Sequence, residues 1–453
     1  MSGLEALTKE ELIAIILEMH AQIEALKAEI EELRSQLPGS GGKAAPDWVK
    51  PNRQERRADE RKKRKHSFVR RRQAPTEVHP HAAETCPDCG RKLAGGWVHR
   101  RRQVIEIPLT PVRIIEHVVV ARYCGVCGKR VIPALDLSGE VVGTHRVGIR
   151  LMSLVAYLHN ICRVPLRTTK KLLFSLYGLE IGLGEISEIL HVVAERGQGE
   201  YEALKGEIRG SPFVHGDETG WREDGENGYV WSFSTPSVRY FTYNRSRSGE
   251  VAREMLSDQF VGTLVSDFYC GYNYYLGPHQ RCWVHFFRDL DKLVEKHPED
   301  ESVAAWAKKI EDVYWRARNF RGARQRDRLR QKMILQDELY DLARPYLKVE
   351  CPQRILSQRI ERFLPELFIF VEHPDVPSEN NAAERAVRPV VIARKVSGGT
   401  RSDRGSKTRM TLMSLFSTWA AQGMDQIEEC QKMLIGQSDE PAATTPAVLS
   451  HAS

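Results

Sequence analysis

A multidomain α/β protein is what this sequence predicts, and three observations predict it. Phe213-Val-His-Gly-Asp217 and Thr263-Leu-Val-Ser-Asp267 are short apolar runs that read as strands ending on an acid. Between them, residues 229–233 and 239–243 alternate as strands do and residues 249–256 have helical spacing, which gives three antiparallel strands, a helix and a strand. Upstream, a heptad seam and two Cys-x2-Cys turns mark separate modules. With 453 residues and 41% apolar content, the chain can fill two to four cores.

The first module is a helix over residues 1–37. Leu12, Ile16, Met19, Ile23, Leu26, Ile30, Leu33 and Leu37 repeat at 4-3 spacing, and Thr8 with Glu11 makes a capping box. Such a rod, about 39 Å from Leu12 to Leu37 at 1.5 Å per residue, buries its narrow stripe against a second copy. The plain alternative is one amphipathic helix packed on its own protein. Pro38-Gly-Ser-Gly-Gly42 ends it and opens a linker over residues 38–80. Within that linker, residues 50–72 hold twelve Lys or Arg against three acids, so the rest of a chain of net charge +7 is slightly acidic. A local basic block of this kind suits nucleic-acid phosphates, or simply solvates a linker.

Residues 81–135 follow as a zinc ribbon. Cys86-Pro-Asp-Cys89-Gly90 and Cys124-Gly-Val-Cys127-Gly128 supply four thiolates for a closed, structural Zn²⁺ site, with residues 103–108 and 113–120 as paired strands between them. The other five cysteines fit reduced thiols in a cytoplasmic, nucleoid-associated protein. No apolar run reaches about 18 residues, so no membrane span is expected. Residues 136–205 read as helical, with a helix-turn-helix-like pair at 165–176 and 185–193 whose second helix would read DNA.

The core over residues 206–436 carries the chemistry. Asp217 and Asp267 need a third acid, and Glu384 is the best placed, on a helical segment that Pro389 is expected to stop. Three acids converging at one end of a sheet could hold Mg²⁺ or Mn²⁺ for phosphoryl chemistry. Asn380, Asn381, Glu384 and Arg388 share one helix face on which amide, carboxylate and guanidinium meet a phosphate, with Arg385 beside them. Glu379 stands as a rival third acid. Glu218, next to Asp217, points to the other side of its strand and reads as structural. A helical insertion at about 294–357 is rich in Arg, with Arg316 and Arg324 as DNA contacts, although such faces also merely solvate. Residues 394–409 form a second basic loop, and 437–453 a polar tail without periodicity.

His215-Gly-Asp-Glu-Thr219, Ser266-Asp-Phe-Tyr269 with Gly271-Tyr-Asn273, Cys282-Trp-Val-His285, and Asn380-Asn-Ala-Ala-Glu-Arg385 with Arg388-Pro389 together resemble the transposases of the insertion sequence 66 type. The similarity covers most of residues 1–436. It implies an RNase H-like mixed-sheet catalytic core, Asp217, Asp267 and Glu384 as a metal-binding triad, and cleavage of double-stranded DNA ends followed by strand transfer. It also implies transposon ends and target DNA as partners, a homo-oligomer through the coiled coil, and accessory transposition proteins. Two departures, Gly216 and Glu379, stand where the family often has Ala and a smaller residue or Asp. The rival expectations are a zinc-containing DNA-binding protein without chemistry and an RNase H-fold nuclease that cuts without joining.

Overall fold

The computed structural model describes residue 22 and residues 74–436, apart from 106, 108 and 109. The coiled-coil seam, the basic runs between 53 and 72 and the tail from 437 lie outside the described residues. The chain divides into two compact units, 1–106 and 107–453, each described by itself.

In the first unit the Cys86–Cys89 turn is closed by backbone bonds. Cys86 N donates to Arg91 O at 2.9 Å and Gly90 N to Cys86 O at 2.8 Å, with Gly90 at φ +70°, where a Cβ is disfavoured. The second unit starts with a small hairpin, β1 (Arg122–Cys124) against β2 (Lys129–Val131), whose turn holds Cys127 and Gly128. These strands replace the longer pair expected at 103–108 and 113–120, whose described residues are not strands. Val104, Ile105, Ile107, Ile114 and Val118 are exposed there, so no buried face holds a ladder in register.

Four helices follow: α1 (Ile149–Asn160), α2 (Leu166–Tyr177), α3 (Leu183–Arg196) and α4 (Gln198–Arg209). The α2–α3 pair carries its charge unevenly. Helix α3 buries Ile186, Ile189, Leu190, Val193 and Ala194, and its solvent side carries Glu185, Glu188 and Glu195, tied to Arg146 and Arg404. The exposed cations sit instead on α2, at Arg167, Lys170 and Lys171.

A five-stranded sheet ordered β5-β4-β3-β6-β7 comes next: β3 (Phe213–Glu223), β4 (Glu226–Ser234), β5 (Arg239–Asn244), β6 (Thr263–Ser266) and β7 (His279–Arg281). β3, β4 and β5 form an antiparallel meander, while β6 and β7 run parallel to β3. Asp224 and Gly225, both at positive φ, make the tight β3–β4 turn whose twist suits a hairpin. Helix α5 (Gly249–Leu256) crosses to β6. This mixed sheet is consistent with an RNase H-like core.

Beyond β7 come α6 (Trp283–Lys296), α7 (Glu301–Asn319), α8 (Gln325–Ala343), α9 (Arg354–Phe363) and the short α10 (Ile369–Glu372). They share a core of their own around Trp283, Phe286, Trp306, Ile310, Leu335 and Phe368. Much of the Arg run that suggested a DNA grip holds this insertion together. Arg321 donates to the carbonyls of Pro374 and Val376, Arg328 to those of Ala323 and Glu372, Lys332 pairs with Glu372, and Arg316 with Glu338. Arg324, Arg326 and Arg330 stay exposed.

Helices α11 (Asn381–Ser397), α12 (Asp403–Ala421) and α13 (Gln426–Gly436) complete the unit. α11 runs straight through Pro389, where a stop was expected. The cost of an internal proline, about 3 kcal/mol, is offset because Val387, Val390 and Ala393 bury against Trp221, Val230 and Phe241 of the sheet. Past α11, Thr400 N donates to Arg222 O and Asp224 N to Thr400 O, both at 2.9 Å, which seats the loop on the hairpin. Gly399 lies at φ +119°, and a Cβ there would strike the Arg222 carbonyl. Gly399→Ala is therefore expected to cost about 2–3 kcal/mol, read as a lower urea midpoint; a midpoint equal to wild type would show that the loop is not seated this way.

Candidate active site

Asp217 lies in mid-strand, not at the strand end that the sequence suggested, because β3 continues to Glu223 as half of the hairpin. Only its first residues pair with β6, the last partners being His215 and Val265. Two residues further, Asp217 comes level with Asp267, the residue that follows β6. Adjacent strands lie about 4.8 Å apart and residues at the same level of a parallel pair share a face, so the two aspartates leave the sheet side by side. Asp217 Oδ1 accepts from Glu218 N at 2.8 Å, and Asp267 Oδ1 from Tyr269 N at 2.9 Å.

The same face of β3 presents Thr219 and Trp221, and α11 lies over it, with Glu384 in its first turn. Burial pushes the Asp217 carboxyl up to about 7, with the Glu218 carboxylate adding to it and Asp267 and Glu384 contributing further. Glu218, Asp267 and Glu384 all act on Asp217, in that order, and Glu379 is not among the groups that shift it. Glu384 is gripped at both oxygens by Arg288 of α6, at 2.9 and 3.2 Å, and lies 3.6 Å from His285 Nε2. Among the described residues no three His, Cys, Asp or Glu side chains close into a cage for an ion.

Glu218 faces the other side of the sheet. Its side chain is bound to Arg247 at 2.7 Å and to the Tyr272 hydroxyl at 2.9 Å. Its charge nonetheless acts on Asp217, and Asp267 acts on it in turn.

Asn380 was expected to meet DNA, but it is 2% exposed. Its Nδ2 donates to Gly216 O at 2.8 Å, its Oδ1 bonds His215 Nδ1 at 2.8 Å, and its backbone N–H reaches Cys282 Sγ at 3.1 Å. One amide therefore ties the start of α11 to β3 beside Asp217 and to the start of α6. Asn381 is half-buried, while Arg385 and Arg388 are exposed on α11 and free to face a ligand.

Sequence reasoning missed Arg288 and Arg281. Arg288 follows His285 by three residues, the spacing of one helix face, and that was the available signal. Arg281, 1% exposed, donates to Asp267 O at 2.9 Å, to Asn273 Oδ1 at 2.7 Å and to Glu366 Oε2 at 2.6 Å, fixing the backbone that carries Asp267. No local pattern announces a contact 85 residues away.

The profile of the Transposase IS66 family matches residues 145–408, more than half of the chain. The chain belongs to the IS66 transposase family. Within curated proteins this IS66 chain is 29% identical over 157 residues to the uncharacterized protein y4jO of Sinorhizobium fredii (strain NBRC 101917 / NGR234), across 33% of this chain and 46% of that one. It thus spans about half the length of that relative. The IS66 match takes in α1 through the first turns of α12, and so contains Asp217, Asp267, Glu384, His285 and Arg288.

The cysteine turns of this IS66 chain lie in different units and each is described alone. Cys86 is held below the usual thiol range by the backbone N–H groups of Cys89 and Asp88, and Cys124 by those of Cys127 and Val126. Donors aimed at sulfur favour the thiolate, the form that binds Zn²⁺.

Proposed function

We propose that this chain is a DNA transposase that cuts phosphodiester bonds at the ends of a mobile element and joins the freed 3′-hydroxyl to target DNA. The observation that carries the proposal is that Asp267 and Glu384, from two other elements, both act on the Asp217 carboxyl, after burial and Glu218. A carboxyl raised to about 7 by burial and then by neighbouring acids sits where no cation compensates it. Its hard oxygen donors fit Mg²⁺ or Mn²⁺, which when bound would supply Lewis acidity and stabilise charge on the attacking and leaving oxygens. The chain's own groups would hold the substrate: exposed Arg385 and Arg388 beside Glu384 engage the phosphodiester, and Arg281 and Asn380 keep the acids in place. His285, lowered chiefly by burial, is a neutral imidazole near neutral pH, with Nδ1 buried and without a partner.

Cys86, Cys89, Cys124 and Cys127 are proposed to bind one structural Zn²⁺, and residues 12–37 to pair two copies. The test of function is to incubate the full chain with oligonucleotides carrying its flanking terminal repeats, target DNA and Mg²⁺. Joined product is expected. Cleavage without joining would point to a nuclease, and end binding without either to a DNA-binding protein.

Arg288 competes with a cation for Glu384. An ion pair of this exposure is worth about 0.5–1 kcal/mol, so Arg288→Ala is expected to tighten apparent Mn²⁺ affinity about two- to fivefold in calorimetric titration. Unchanged or weaker affinity would show that the arginine does not compete.

A further inference from the structure

On the face of β3 opposite Asp217, a set of side chains joins the strand that carries this aspartate to the loop that follows Asp267. The Glu218 side chain is 4% exposed there, and both of its oxygens are taken. Arg247 donates to Oε1 from Nη2 at 2.7 Å and from Nε at 3.2 Å, and the Tyr272 hydroxyl donates to Oε2 at 2.9 Å. Arg247 comes from the turn between β5 and α5. Its guanidinium carbon lies 4.1 Å from the ring centroid of Tyr269, whose hydroxyl donates back to Arg247 O. Tyr269 and Tyr272 meet edge to face at 6.1 Å, and Tyr272 meets Trp231 in the same way at 5.8 Å. Tyr272 also presses on β3 at Gly216, where a Cβ would lie 3.0 Å from its ring.

The two residues that Arg247 joins are the ones that engage the aspartates. Glu218 supplies the N–H that Asp217 Oδ1 accepts, and Tyr269 the N–H that Asp267 Oδ1 accepts. One side chain thus links the two backbone groups that orient the two carboxyls. Packing alone does not account for it. Trp231, Tyr269 and Tyr272 already give this face an apolar layer, and an apolar residue at 218 would extend it without desolvating a carboxylate. A guanidinium suits the link because its planar fork bonds a carboxylate while its flat face lies on a ring, which an ammonium cannot do at once.

We propose that Arg247 is a positioning residue for the cation site: by clipping Glu218 to Tyr269 it sets the spacing and orientation of Asp217 and Asp267 from behind. This rests on the reading of Asp217, Asp267 and Glu384 as a cation site. Arg247 acts through its two neighbours and not on the cation or the DNA.

The test is calorimetric titration of the full chain with Mn²⁺ at pH 8, with the binding lost in Asp217→Asn assigned to this site. Arg247→Gln is expected to weaken Mn²⁺ binding about tenfold, the size usual for a residue that supports metal ligands. Charge acting through space has the opposite sign, since removing a cation beside an acidic site tightens a metal. Glu218→Gln should weaken binding by a similar factor, and the double variant no further than either single one, because both substitutions break the same link. Tyr269→Leu, which changes no charge, should weaken it as well. Arg247→Lys, which keeps the charge and loses the fork, should fall between wild type and Arg247→Gln. Should Arg247→Gln not fold, Arg247→Lys and Tyr269→Leu carry the same comparison. A lower urea midpoint with unchanged Mn²⁺ affinity shows that the contact only supports the fold, and overturns the clip while leaving the cation site standing. Tighter binding by Arg247→Gln, or additive losses in the double variant, overturns it too. Wild type that binds no Mn²⁺ overturns the cation site, and the clip with it.

Discussion

Asp217→Asn is expected to abolish strand transfer, by 10³-fold or more, while making the metal-free protein harder to melt. The first effect follows because an amide cannot share a divalent cation with Asp267 and Glu384. The second follows from linkage. The Asp217 carboxyl sits at about 7 in the folded chain against an ordinary value of 3.8, so folding favours its protonated form. Below about pH 4 the group is protonated in both states and costs nothing. As pH rises toward 7 the unfolded chain releases the proton first, and the folded state loses stability until both forms are ionised above pH 7. The loss is at most about 4 kcal/mol, and the amide variant escapes it. Melting temperatures of the two proteins without divalent metal should therefore coincide near pH 4 and diverge toward pH 8, with the variant higher. Mn²⁺ at pH 8 should reverse the order. Parallel melting curves at both pH values, or strand transfer by the variant, would remove Asp217 from the centre of the site.

Asn380→Ala should be the most damaging substitution outside the acids. It removes two buried side-chain hydrogen bonds and strands His215 Nδ1 and the Gly216 carbonyl in a dry interior. At about 1–3 kcal/mol for each orphaned group, the expected cost is about 2–4 kcal/mol. Activity should fall further than stability explains, because the same amide sets the distance between the strand that carries Asp217 and the helix that carries Glu384. Measured well below the melting temperature, the Mn²⁺ concentration for half-maximal cleavage should rise at least tenfold. A variant with wild-type metal demand and a wild-type urea midpoint would reduce Asn380 to a bystander.

The elements that were legible in the sequence are those whose signal is local. Alternation located β4 and β5, helical spacing located α5, and a short apolar run located β6. Among the acids, Asp217 and Asp267 were visible because an apolar strand delivers each one, and Glu384 because it shares a helix face with Arg388. What misled were signals whose meaning depends on the other side of a contact. Exposed apolar residues near 104–120 looked like strands, yet no layer covers them. Pro389 looked like a helix end, until the sheet packed against Val387 and Val390. The arginines of the insertion looked like a grip on DNA, and several turn inward to carbonyls more than forty residues away.

By itself, then, the sequence determined four of the five strands of the sheet, since side-chain period and turn chemistry act over a few residues. Only the tertiary structure decided which charges are spent inside the protein and which remain for a ligand. Asn380 and Arg281 became internal struts, and Arg288 the ion-pair partner of Glu384. The reason is that charge balance in a folded chain is set by neighbours in space, and burial multiplies the strength of each such contact in a medium where water no longer screens it.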